Sequence, residues 1–271
     1  MKYCLLLLMS FMLCNTGVFA QGCFSDNEET ELLRDFREVN RLHNKTGDDS
    51  QDSLNVANGV LYNYLTYLVE HNFTIVNDLN RLMYEGMDFS ASDDNKCAVF
   101  SWETATFDAM HYRTGVLFYK TSDGIHSTKY LNGYAPYGIR TVYTKNKQPV
   151  YLLFWEDCFS LNDRFKRVSA NVIETRYGEE GFMPLFIFPG DKSDSSSYLE
   201  YKYNISSYSH PRDVPDIILS SNKKKLSVPV VTEFGSFSGQ YTDYLFNGNK
   251  FVLDKPNNNK AIKGNNDGKA H

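Results

Sequence analysis

The chain is poor in the residues that announce chemistry. It has five cysteines in 271 residues, and no two of them form a C-x-x-C pair. That excludes a zinc knuckle and a thioredoxin-type centre. The six histidines, at 43, 71, 111, 126, 210 and 271, offer no pair at metal-ligand spacing on one helix. No glycine-rich phosphate loop and no Asp-rich calcium loop is present, so no cofactor is expected. Gly235 to Gly239 looks like a nucleophile elbow only superficially, because its serines miss the middle position. Basic charge is short too. The 28 Lys and Arg against 33 Asp and Glu give a net charge of −5, and without a basic patch a nucleic-acid partner is excluded. The longest apolar run, near the N-terminus, is too short to span a membrane.

What is present begins with that run. Met1 and Lys2 make a short basic start, Leu5 to Met9 lead an apolar stretch, and Val18 and Ala20 put small residues where a signal peptidase reads. Residues 1–20 read as a signal peptide cleaved after Ala20, so the mature protein is expected to be secreted or periplasmic, without a transmembrane span. Loss of Lys2 takes the charge from −5 to −6. Lipid anchoring at Cys23, which follows Gly22, is the weaker variant, since Ala20 stands where a branched aliphatic is wanted. Cys4 and Cys14 leave with the leader. In an oxidising compartment Cys97 and Cys158 form a candidate disulfide; the alternative is two buried free thiols.

Nineteen Tyr and nineteen Phe against two Trp favour sheet over helix. Helical spacing is confined to residues 21–88. Leu32, Phe36, Val39 and Leu42 predict a helix over 26–43. A polar loop over 44–52 follows, then a second helix from Ser53 carrying Leu61, Leu65 and Leu68, then a shorter stripe from Phe73 to Met83, ended by Gly86. Sheet is expected from Lys96 onward, over a domain of residues 89–254. Its centre is Val150 to Trp155, an unbroken apolar run that reads as a strand buried on both faces. After the turn at Leu161 to Asp163, Val168, Ala170 and Val172 alternate with Arg167, Ser169 and Asn171, as one buried face and one wet face require. Closely spaced strands without intervening helices predict an antiparallel meander. Residues 255–271 are polar and read as a disordered tail. The fold class is therefore α+β: N-terminal helices packed on a mainly antiparallel β-sheet domain, a sandwich or a partly closed barrel.

Candidate site residues are few. Trp102, Glu103, Asp108 and His111 fall within ten residues. Glu103 and Asp108 could serve as an acid/base pair with His111 if they faced one cavity, as paired carboxylates do in glycoside hydrolysis. The competing reading is a satisfied polar rim on a sheet. Glu156, after Trp155 at a strand end, is a second acidic spot, and Trp102, Trp155 and Glu156 are the binding candidates. Exposed aromatic residues on a sheet can stack on sugar rings or fill a partner's pocket.

The stretch from Ser92 and Asp93 through Phe100 to Thr104 and on to Met110 and His111 resembles a pattern in uncharacterised secreted proteins of Gram-negative bacteria. Val150 to Leu153 and Leu226 to Phe251 are similar as well. The likeness implies a helical N-terminus on a β-rich region and carries no known activity. Phe107 to Ala109 stand where that pattern has small residues. The sequence thus predicts a non-enzymatic envelope module that binds a protein or glycan of the cell envelope. The rival is an extracellular hydrolase acting on glycan or peptide.

Overall fold

The computed structural model describes residues 26–43, 48–71, 73, 80–104, 112–130, 134–158, 160, 162–190, 194–210 and 213–255. The leader, the polar tail, Cys23, Asp108 and His111 lie outside the described residues. The order is three helices, α1 (Asp26–His43), α2 (Asp48–His71) and α3 (Asn80–Tyr84), followed by strands. Helix α2 starts within the stretch expected to be a loop. Sheet also begins earlier than expected, with β1 (Asp88–Ala91).

Sheet I is β1, β2 (Cys97–Thr104), β3 (Tyr112–Lys120) and β4 (Ile125–Tyr130), in that order. Sheet II is β5 (Pro136–Tyr143), β6 (Pro149–Cys158), β7 (Asp163–Arg176), β8 (Glu179–Pro184) and, after the short pair β9 (Phe188–Pro189) and β10 (Ser195–Ser196), β11 (Tyr198–Asn204). The long β7 takes β11 along its first half and β8 along its second. Sheet III is β12 (Ile218–Leu219), β13 (Lys225–Val231), β14 (Phe237–Phe246) and β15 (Phe251–Leu253). Every pairing in these sheets is antiparallel, and none of the sheets closes into a barrel.

Parity along two strands explains the layering. In β2, Ala98, Phe100 and Trp102 face the helices and pack with Leu32, Phe36 and Leu65. Cys97 and Val99 face the other way, onto sheet II. In β6, Tyr151 and Leu153 meet them, while Val150, Leu152 and Phe154 face sheet III beside Val168, Leu226 and Phe251. Side chains alternate with period two, so a strand apolar at every position must be covered on both faces. The result is four layers, helix–sheet–sheet–sheet, with sheets I and II both sandwiched. The α+β class read from the sequence, helices packed on a mainly antiparallel β domain, holds, and the sheets stay open rather than closing into a barrel. The helices have no core of their own; their apolar stripes and sheet I form one cluster.

Cys97 and Cys158 are free thiols. Cys97 sits in the core beside Tyr151, and Cys158 lies seven residues further along β6 than Tyr151. At about 3.3 Å per residue that is roughly 23 Å, far beyond the reach of a disulfide. The candidate Cys97–Cys158 bridge is therefore not formed.

Candidate ligand crevice at the open end of the second sheet

Trp102 lies in the core between the helices and sheet I. It is 2 % exposed, and its Nε1–H donates to Asn58 Oδ1 of α2 at 2.7 Å. Trp155 also turns inward, donating to Ser169 Oγ at 2.9 Å and meeting Tyr130 edge-on. Glu103 lies exposed at the end of β2, opposite Arg113 in the register. Glu156 stands on sheet II, on the face that turns away from sheet I. The described candidates therefore do not share one cleft with Trp102.

Glu156 does belong to a cluster. The buried parity of β6 and β7 continues past the apolar residues, and at this end of sheet II it is occupied by charge. Glu156, Lys166 and Tyr201 form one rank across three strands; Cys158, Arg164 and Tyr203 form the next. Tyr203 donates its phenolic hydrogen to Glu156 Oε1 at 2.5 Å. Buried Lys166 pairs with Asp216, and Tyr201 donates to the Pro215 carbonyl. Burial, with Glu156 next, pushes the Tyr203 phenol well above its usual pKa, so it stays a donor. Across the gap between sheets I and II, Arg113 pairs with Asp88 and donates to Ser101 Oγ at 3.2 Å. Burial lowers its pKa, and the nearby Glu156 charge opposes that shift.

Beside this cluster opens a crevice of about 320 Å³, lined by Phe89 and Ser90 of β1, Tyr137 and Arg140 of β5, Phe154 of β6, and Asp216 with the residues after it. The β5–β6 register slips between Pro136 and Gly138, which leaves Tyr137 as the extra residue of a bulge. A bulge re-aims a side chain out of the ladder. The Tyr137 ring lies 6.5 Å from that of Phe154 at 51°. Burial, then Asp216, keeps its phenol protonated well beyond the ordinary range. Among the described residues its hydroxyl has no hydrogen-bond partner. Arg140 is held by Nη1–H bonds to Ser90 Oγ at 3.0 Å and the Ile139 carbonyl at 2.8 Å. Aromatic faces, a free phenol, a guanidinium and one carboxylate can grip a small hydroxyl-rich ligand. Among the described residues Asp216 is the one carboxylate lining this crevice.

Sequence reasoning reached Glu156 but missed Tyr137, Arg140, Arg164, Tyr203 and Asp216. One signal was there: Arg164 and Lys166 share the parity of Val168, Ala170 and Val172, so two cations extend a buried face. No group of three or more His, Cys, Asp or Glu able to hold a metal occurs among the described residues. No helix there is long and apolar enough to cross a membrane. No family model, curated protein or solved structure matches the chain.

Proposed function

We propose that this is a non-enzymatic, exported binding module of the cell envelope whose ligand is a glycan, held in the crevice under Tyr137. The carrying observation is the combination of an unpartnered phenol, set by a β-bulge, with the Phe89 and Phe154 rings and the Arg140 and Asp216 side chains around a volume of about 320 Å³. Rings offer a face to the C–H side of a sugar, and the polar groups offer donors and an acceptor to its hydroxyls. The leader-like residues from Met1 to Ala20 support export.

The test is a glycan array followed by titration calorimetry. The mature protein is expected to retain at least one class of neutral sugar, with Tyr137→Phe binding about 5-fold more weakly, as loss of one hydrogen bond implies. Equal binding by Tyr137→Phe, or retention of no sugar, would overturn this assignment.

A further inference from the structure

A second opening flanks the same polar cluster. It is a groove of about 770 Å³ between the edge strand β11 and the turn joining β13 to β14, lined by Asp163, Arg164 and Glu200 to Asn204 on one side and Val231 to Gly235 on the other. Its walls are fixed. Gly235, at φ +76°, comes so close that an added Cβ would lie 2.6 Å from the Asn204 nitrogen, and Asn204 N–H donates to the Gly235 carbonyl at 3.2 Å. Only glycine fits that approach. Ser207 Oγ donates to the Phe234 carbonyl at 3.2 Å, pinning the turn again. The Phe234 side chain itself is 76 % exposed on the rim.

Arg164 is the anomaly in this groove. Among the described residues its Nε is sealed from solvent with no hydrogen-bond partner, and its guanidinium forms no ion pair. Its neighbours are engaged elsewhere. Glu156 accepts from Tyr203, Glu200 is held by Arg167 at 2.6 Å, and Asp163 accepts from Ser160 Oγ at 3.0 Å and from Asn204 Nδ2 at 3.1 Å. Natural proteins seldom leave a shielded charged donor unpaired, because its desolvation is uncompensated. A planar fork of N–H groups matches the two oxygens of a carboxylate.

We infer that Arg164 is the anchor of a second subsite, which takes the carboxylate of an acidic sugar unit while the chain of that glycan lies along the groove. This rests on the glycan reading above but uses a different site. Glu200 is taken up by Arg167, so Arg164 and Lys202 balance Asp163 and Glu233, and the pull on a single carboxylate comes from the Arg164 guanidinium itself. The exposed Phe234 ring supplies a face on which a sugar unit stacks. The volume suits an oligosaccharide segment rather than a free small acid.

The experiment titrates three probes against the mature protein: a uronic-acid oligosaccharide, the neutral oligosaccharide of the same length, and a glutamate-rich peptide. The variants are Arg164→Gln, Arg164→Lys and Phe234→Ala. The uronic-acid chain is expected to bind the wild type at least 10-fold more tightly than the neutral chain. Arg164→Gln should abolish that preference, and Arg164→Lys should restore only part of it, since the ammonium lacks the fork. Phe234→Ala, on an exposed side chain, should weaken the uronic-acid chain about 5-fold with the fold intact. Neutral sugars bound under Tyr137 should be unaffected by all three variants, so failure here and failure of the Tyr137 crevice are separable. A wild type that does not distinguish charged from neutral chains, an Arg164→Gln variant that keeps the preference, or tighter binding of the acidic peptide would each overturn the inference. In the ligand-free state Arg164→Gln should melt no lower than wild type; a lower melting temperature would show that the guanidinium has an internal role instead.

Discussion

The Tyr203 hydroxyl donates to Glu156 Oε1 at 2.5 Å, and through that bond β11, the edge strand of sheet II, is tied to β6 at its centre. The bond crosses over β7, since Tyr203 stands in register with Arg164, and Arg164 with Cys158. It closes the apolar core between sheets II and III with a charge-assisted contact instead of another hydrocarbon. Removing the donor leaves a half-buried carboxylate short of one partner. Tyr203→Phe should therefore lower unfolding free energy by about 1–3 kcal/mol, the cost of an unmade bond to a charged group. Urea denaturation of the two proteins checks it, and an unchanged midpoint would contradict the assignment.

Asp157 faces the opposite way from Glu156 and is 7 % exposed. Its Oδ1 accepts from Cys158 N–H at 2.7 Å, but its Oδ2 has no partner among the described residues. Burial raises its pKa to about 6, above the ordinary aspartate value of 3.8. In the unfolded chain the group ionises first, so folding favours the protonated form. The stabilising contribution is complete below pH 3.8 and is lost as pH rises through about 6. Asp157→Asn should thus raise stability at pH 8 by roughly 1–3 kcal/mol. It should also flatten the fall in stability between pH 4 and 7. Melting curves across that range decide it.

Trp102 couples the helical layer to sheet I through Asn58. Trp102→Phe removes the indole N–H, leaves Asn58 Oδ1 without its donor and opens a void. A loss of roughly 2–4 kcal/mol is expected by chemical denaturation, with glycan binding at 25 °C unchanged as long as the variant remains folded. A selective loss of binding would return Trp102 to the site.

The thiols give an independent check on the layering. Cys97 is fully buried between sheets I and II, and burial drives its pKa far above the ordinary thiol range. In the native protein a thiol reagent should not label Cys97, whereas half-buried Cys158 should react slowly. In denaturant, without reductant, both should react at once, because no bridge joins them. Mass spectrometry of the same exported sample should find the mature chain starting at Gln21.

Much of the fold was written locally. Val150 to Trp155 declared a doubly covered strand, and β6 is one. The α1 stripe of Leu32, Phe36 and Val39 buries as its spacing requires. The layer count was not legible, because Cys97 to Trp102 reads as alternating only if Cys97 and Val99 are given a wet side, and sheet II covers it instead. The site was less legible still. Tyr137 is placed by a register slip, Asp216 by a segment without regular structure, and Arg164 by pairing with strands on both sides. No local pattern encodes such pairings. Only the charged residues continuing the buried parity of β6 and β7 hinted at them.

The most direct measurement is calorimetric titration of the mature protein and its Tyr137→Phe variant with the neutral sugar selected on the array. The account predicts saturable binding by the wild type and about 5-fold weaker binding once the hydroxyl is gone, with the melting temperature preserved. Identical affinities for the two proteins, or no heat of binding to any sugar, would contradict it.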